Sequence, residues 1–494
     1  MDLEAYRHSA ESFLSALTLE YYGHYAGLKD GFEIEPIYER HAELFTASAV
    51  DELQAIEDRA QPDSEERRRL TMLLDFAVEG YLGQATKRVE AELAVREAEL
   101  MLELDGDSVG FRESDVIQAN EADAERRAQI ERARLEAIET QLNGLYAELI
   151  GTHHELARQL GFTSYRELCA RCKRIDLGDL QEQTSAFTRR TGPRYPEVVD
   201  QPLRAALGFG LEALRRSDIG RFMRAPELDS AFPAAQLIPS FEQTLRGLGI
   251  DIHAQPGVAL DLESRPKKSP RAFCAPVRVP GEVYLVLAPT GGHDDYSGLF
   301  HEGGHTEHYA SVDRNLPFEF RMLGDNSVTE AFAFLFMHLV EDPEWLARHL
   351  GVADPEPVAA HGRAVRLIYL RRYAAKLAYE LELHNADGSL AEFAPRYGAI
   401  MSAALEIDWP VQSYLADVDP GFYCACYLRA WALETHLRHH LRSRYGEAWF
   451  ERREAGDELR ALWREGQRLT PEELLAGLSA ERLRFEVLVD DLAL

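Results

Sequence analysis

The residues best placed to do chemistry together are His301, Glu302 and His305, in the run Leu299-Phe300-His301-Glu302-Gly303-Gly304-His305-Thr306-Glu307-His308. Read as a helix, the run puts both imidazoles on one face, one turn apart, where they can reach a single metal ion. Glu302 lies about 100° round the helix from His301, beside the metal, where a carboxylate can act on a water. Catalytic zinc takes three protein ligands and keeps a fourth position open. Glu330 is the expected third ligand. It stands in the apolar run Val328-Thr329-Glu330-Ala331-Phe332, where an unpaired buried carboxylate is costly and coordination removes the cost. Glu307 points to another helix face, and Tyr309 to Val312 supply no later histidine. The expected cofactor is therefore one Zn2+ per chain. Gly303 and Gly304 each cost roughly 1 kcal/mol inside a helix, which close backbone packing or ligand approach explains.

These side chains must be positioned by a mostly helical chain. Residues 1–60 read as helices. Long helical patterns over 64–104 and from 113 or 115 to 150, joined by turn chemistry at Asp105–Gly110, predict an antiparallel hairpin. The charged stretch Glu121–Arg134 reads as a solvated face, and His153 and His154 as structural or surface residues. Two strands are expected, over 271–279 and 282–287, with a turn at Pro280-Gly281. Such a hairpin beside a metal either holds an extended peptide through backbone hydrogen bonds, with 282–287 the expected substrate-holding strand, or is purely structural. A metal helix over about 295–310, an apolar helix over 327–340 and further helices from about 355 complete the chain. The expected division is a helical lobe over 1–150 and a catalytic lobe over 151–494, the latter containing the small sheet at about 270–288.

Composition narrows the function classes. The 494 residues are 46% hydrophobic and 28% charged, as in a soluble globular protein. A net charge of −30 argues against nucleic acid and anionic membranes as partners. The start, Met1–Tyr6, lacks the basic and apolar regions of a signal peptide, so a cytoplasmic location is expected. The five cysteines do not form a disulfide framework, and Cys169 and Cys172 read as ordinary helix residues.

The pattern His301-Glu302-x-Gly304-His305-x-x-His308, followed by Glu330, resembles the zinc oligopeptidases of the thimet oligopeptidase and oligoendopeptidase F family. Asp295 occupies a position where that family commonly has an acidic residue. Gly161–Tyr165, Arg271–Cys274 and the closing stretch Leu459–Leu475 also resemble family segments, so the similarity spans roughly 140–480. The resemblance implies a mainly α fold, a large helical bundle with a deep channel and one small sheet next to the zinc-binding helix. It implies a metalloendopeptidase that cuts short peptides with a zinc-bound water activated by Glu302. It also implies tyrosine donors to the oxyanion. Gly421-Phe422-Tyr423-Cys424-Ala425-Cys426-Tyr427-Leu428-Arg429 fits the family run at Tyr423 and Tyr427, with Gly421 in place of its histidine and Arg429 in place of its last tyrosine. Asp295, His308 and Arg429 are candidates for supporting the metal or gripping substrate. Two other readings fit the same residues. One is a zinc carboxypeptidase or dipeptidase using Arg429 or Lys267-Lys268 to hold a carboxylate, and the other is a silent metal-binding scaffold.

Overall fold

Apolar residues at three- and four-residue steps fold most of this chain into helices, and 71% of it is helical in the computed structural model. The structure describes residues 1–494 except 105, 386–387, 479–481 and 493–494. The elements used below begin with α1 (Leu3–Tyr25), α2 (Glu65–Glu99), β1 (Met101–Leu104), β2 (Asp107–Gly110), α3 (Phe111–Asn120), α4 (Ala124–Ala137) and α5 (Asn143–Gln159). Next come α6 (Ala234–Gly247), β3 (Val258–Asp261), β4 (Phe273–Arg278), β5 (Glu282–Val286), α7 (His293–Ser311) and α8 (Asn326–Met337). The last are α9 (Glu356–Leu383), α10 (Tyr423–Tyr445), α11 (Arg453–Trp463) and α12 (Pro471–Gly477). Among the described residues no helix is long and apolar enough to cross a membrane.

The contacts divide the chain into two interleaved units rather than at residue 150. The first comprises 1–81, 228–359 and 426–491, and the second comprises 82–227, 360–425 and 492–494.

In the first unit a three-stranded sheet runs in the order β3-β5-β4. The expected hairpin forms, with β4 and β5 antiparallel, Cys274 opposite Leu285 and Ala275 opposite Tyr284. β3, which the sequence did not reveal, pairs in parallel with β5. Side chains alternate across the sheet. On one face Tyr284 stacks on Tyr22 of α1, with ring centroids 3.9 Å apart, and Phe273 meets Tyr25. On the other face the Cys274 thiol bonds Thr306 of α7. Helix α7 thus lies against the sheet on the side opposite α1. Behind it Phe300 packs edge-on to both Phe241 of α6 and Trp345, whose indole N–H donates to Thr244 Oγ1 at 2.9 Å.

In the second unit β1 and β2 form an antiparallel hairpin over the stretch read as a turn, a second small sheet. Asp105, named in that turn, lies outside the described residues. The helix expected over 113–150 is interrupted at Glu121–Asp123, where Asp123 caps α4 by accepting from the N–H groups of Glu125 and Arg126. The stretch Glu121–Arg134 is only in part a solvated face: Asp123, Glu125 and Arg132 are exposed. Arg127, Glu131 and Arg134 are buried, and Arg127 and Arg134 pair with Asp218 and Asp115. Sequence alone could not show this, because the partners sit on other helices. His154 of α5 is buried with its Nε2 2.9 Å from His384 Nδ1, a structural role.

Candidate metal centre

Two helices of the first unit build the site. α7 supplies His301, Glu302 and His305, and α8 supplies Glu330. The glycine pair lets the helices meet. A Cβ on Gly304 would lie 2.7 Å from Ala333 Cα and from the Phe332 carbonyl of α8, and one on Gly303 would lie 2.3 Å from the Phe241 ring. Only a residue without a Cβ lets the two backbones approach this closely.

The approach brings the three expected ligands together. One ligand atom from each of His301, His305 and Glu330 lies within 4.8 Å of the others. Glu330 Oε2 is 3.5 Å from His301 Nε2 and 3.6 Å from His305 Nε2. Ligands bound tetrahedrally at about 2.1 Å stand about 3.4 Å apart, so this set fits zinc. The imidazole rings are nearly perpendicular, at 87°, with centroids 4.9 Å apart. His305 Nδ1–H donates to Thr329 Oγ1 at 2.8 Å, which leaves the Nε2 lone pair facing the other ligands. Burial pushes His301 down to about 3, helped by His305, so its imidazole is neutral and ready to ligate. Burial also lowers His305, but the Glu330 carboxylate outweighs it and holds the group above the ordinary value.

Glu302 leaves the ligand face, as its position on the helix requires. Its Oε2 accepts from the backbone N–H of Cys274 at 2.9 Å. Burial raises its pKa above the ordinary carboxylate range, partly offset by His305 and this N–H. The bond also reveals the geometry of the sheet edge. The Cys274 N–H points away from β5, so Cys274 and Pro276 direct their backbone groups outward in this antiparallel pair. Proline has no N–H to lose there. Among the described residues, β4 is thus the strand beside the candidate site whose outer edge pairs with no further strand. The expectation that 282–287 holds substrate is corrected, because β5 is central and both its edges are used.

The other expected residues fall differently. His308 is fully buried and its Nε2–H donates to the Gly466 carbonyl at 3.2 Å, anchoring α7 to the turn after α11. Asp295 Oδ2 accepts from Thr290 N–H at 2.6 Å, Thr290 Oγ1 at 2.8 Å and Gly291 N–H at 2.7 Å, so it shapes the loop before α7. His301 Nδ1 is buried and makes no hydrogen bond, to Asp295 or otherwise. Arg429 is buried and committed. It donates to Glu472 at 2.7 and 2.9 Å, to Ser327 Oγ at 3.3 Å, and to Asp325, the residue that caps α8. It clamps the helix that carries Glu330, and has no guanidinium face to spare for an oxyanion or a substrate carboxylate. Lys268 is likewise spent, donating to Asp261 Oδ1 and to the carbonyls of Asp261, Glu263 and Leu287 at 2.6–2.9 Å. Lys267 pairs with Asp30 at 2.7 Å.

Tyr427 lies in the first unit, half-buried, with its ring 6.1 Å from Phe334, which in turn lies 5.2 Å from the His301 ring. Tyr423 belongs to the second unit. Both are on α10, one turn apart. Sequence reading passed over Tyr309, whose ring stacks near His305 at 6.3 Å and whose phenol bonds Thr329. The signal was present, since residues 301, 305 and 309 share one helix face. It also passed over a second cluster of potential ligands in the second unit, Glu380, Asp419 and Cys424. Lys376 already pairs with one member of that cluster, with Nζ 2.7 Å from Asp419.

No family model matches the chain, and no curated protein is similar to it at a significant level.

Proposed function

We propose that this protein is a zinc-dependent metalloendopeptidase that hydrolyses short peptides, of the type of thimet oligopeptidase and oligoendopeptidase F. The observation that carries the reading is the convergence of His301, His305 and Glu330, with Glu302 beside them and hydrogen-bonded to an unpaired strand edge. Zinc held by these three residues would supply Lewis acidity toward a water and a scissile carbonyl. Glu302 does the proton work. With Oε2 on the Cys274 N–H, Oε1 can take a proton from the attacking water and return it to the leaving amine, and a raised pKa suits that exchange. The outward carbonyls of Cys274 and Pro276 can accept from the N–H groups of an extended peptide, which gives affinity with broad sequence tolerance. Tyr427, in the same unit as the site, is the candidate for an oxyanion donor. A carboxypeptidase would need a cation for the substrate's terminal carboxylate. Arg429 and Lys268 are both engaged elsewhere, and Arg271 is the exposed cation left near the strand edge, so peptides blocked at the C-terminus separate the two readings.

The test is metal analysis joined to digestion of a quenched peptide library, with and without chelator. One zinc per chain and chelator-sensitive cleavage of peptides blocked at both ends are expected. Glu302→Gln should keep the zinc and lose about 100-fold or more in turnover. Full activity in that variant sinks the mechanism, and cleavage only of peptides with a free C-terminus favours the carboxypeptidase.

A further inference from the structure

A cavity of about 460 Å³ opens between α1 and the edge of the sheet, walled by Leu17, Thr18, Tyr21 and Tyr25 and by the stretch from Arg271 to Ala275. Its size falls within the range of small-ligand sites, roughly 300–1,000 Å³. Its walls are largely apolar and aromatic. Tyr21 and Tyr25 are 41% and 42% exposed, so the cavity opens to solvent rather than being sealed in the core. One wall residue, Cys274, is the residue whose N–H holds Glu302. The cavity therefore adjoins the strand edge that carries the base.

Strand alternation says what such a cavity receives. Along β4, Cys274 turns toward α7 and the metal, while Phe273 and Ala275 turn toward α1. A peptide laid along the same edge alternates in the same way. Of two neighbouring residues in it, one presents its side chain to the metal face and the other to the α1 face, where the cavity lies. We infer that this cavity is a specificity subsite that takes a large apolar side chain, phenylalanine or leucine, of an extended peptide substrate. The inference rests on the peptidase reading for its substrate. Arg271, exposed at the mouth and without a carboxylate partner among the described residues, disfavours lysine or arginine there.

The probe is a set of capped octapeptides of alanine and serine that carry a single phenylalanine, serine or lysine. Their affinities are measured by calorimetry with zinc-loaded Glu302→Gln protein, which does not consume them, and their cleavage with the wild type. Phenylalanine should bind about tenfold or more tighter than serine, with lysine weakest. Thr18→Trp fills the cavity from a half-buried position and should erase the preference. Leu17→Ala strips apolar surface from the wall and should weaken the preference for phenylalanine over serine severalfold, which keeps the test decisive if the first variant fails to fold. Equal affinities for the three peptides, or a preference that survives Thr18→Trp, overturn the subsite. The two readings fail separately. Tight phenylalanine binding without cleavage of any peptide upholds the subsite and removes the peptidase, while equal binding with equal cleavage of all three does the reverse.

Discussion

The carboxylate of Glu302 and the backbone N–H of Cys274 are joined by a hydrogen bond of 2.9 Å, so the candidate base is held by the strand against which substrate would lie. Removing that N–H should release the base without touching the metal. Cys274→Pro does this at an edge position whose N–H faces away from the sheet, where proline is tolerated. Turnover should fall by up to about 100-fold with zinc content unchanged. Cys274→Ala, which keeps the N–H, should lose far less. Equal losses in the two variants, measured by kcat and metal content, would show that the thiol and not the N–H matters.

Thr329 should set metal affinity through His305. Its hydroxyl takes the Nδ1–H of His305 at 2.8 Å and fixes the ring with Nε2 toward Glu330. Thr329→Val keeps the shape and removes the acceptor. Zinc affinity should weaken by about 10- to 100-fold in competition with a chromophoric chelator. An unchanged affinity would mean that packing alone orients His305.

How much of this was readable from the sequence depends on how far apart the partners are. His301 and His305 are one turn apart in a single helix, and Glu330 is conspicuous as a carboxylate in an apolar run, so their convergence follows from local pattern. The role of the strands does not. β5 is central only because β3, a short segment with no strand pattern of its own, pairs in parallel with it and covers its second edge. Arg429 looks like an uncommitted cation on α10 until Asp325 and Glu472, both far along the chain, are seen to surround it. The same holds for Arg127 and Asp218 in the second unit. Long-range pairing of charges leaves no periodic trace in a single sequence.

Arg429→Met tests the clamp on α8. It leaves Asp325 nearly buried and without its cation, with Glu472 unpaired beside it. Breaking a buried pair from one side costs about 3–5 kcal/mol, visible as a lowered urea midpoint. Because Asp325 caps the helix that carries Glu330, zinc affinity should fall as well. A stability loss with zinc affinity intact would make the clamp purely structural.

Glu380 gives the second unit a pH dependence. Burial raises its carboxyl to about 8, against an ordinary value of 4.5, partly countered by Lys376. A folded-state pKa above the unfolded one means that the fold binds the proton more tightly. The contribution is fully present below about pH 4.5 and is lost as pH rises through about 8. Urea unfolding should therefore show stability declining over that window. Glu380→Gln, neutral at every pH, should flatten the decline. A decline that persists in the variant assigns it to another group.

Gly304→Ala bears on the closeness of α7 and α8 itself. The added methyl would meet Ala333 Cα and the Phe332 carbonyl at 2.7 Å, and both are backbone atoms that cannot rotate away. The helices must separate by a fraction of an ångström, at a cost of about 1–3 kcal/mol. His305 is next to Gly304 on α7, and Glu330 lies two residues before Phe332 on α8, so the same separation widens the ligand triangle. Stability and zinc affinity should fall together, read by thermal unfolding with and without added zinc. Were the separation absorbed elsewhere, Tm would drop while the stabilisation conferred by zinc stayed at its wild-type value.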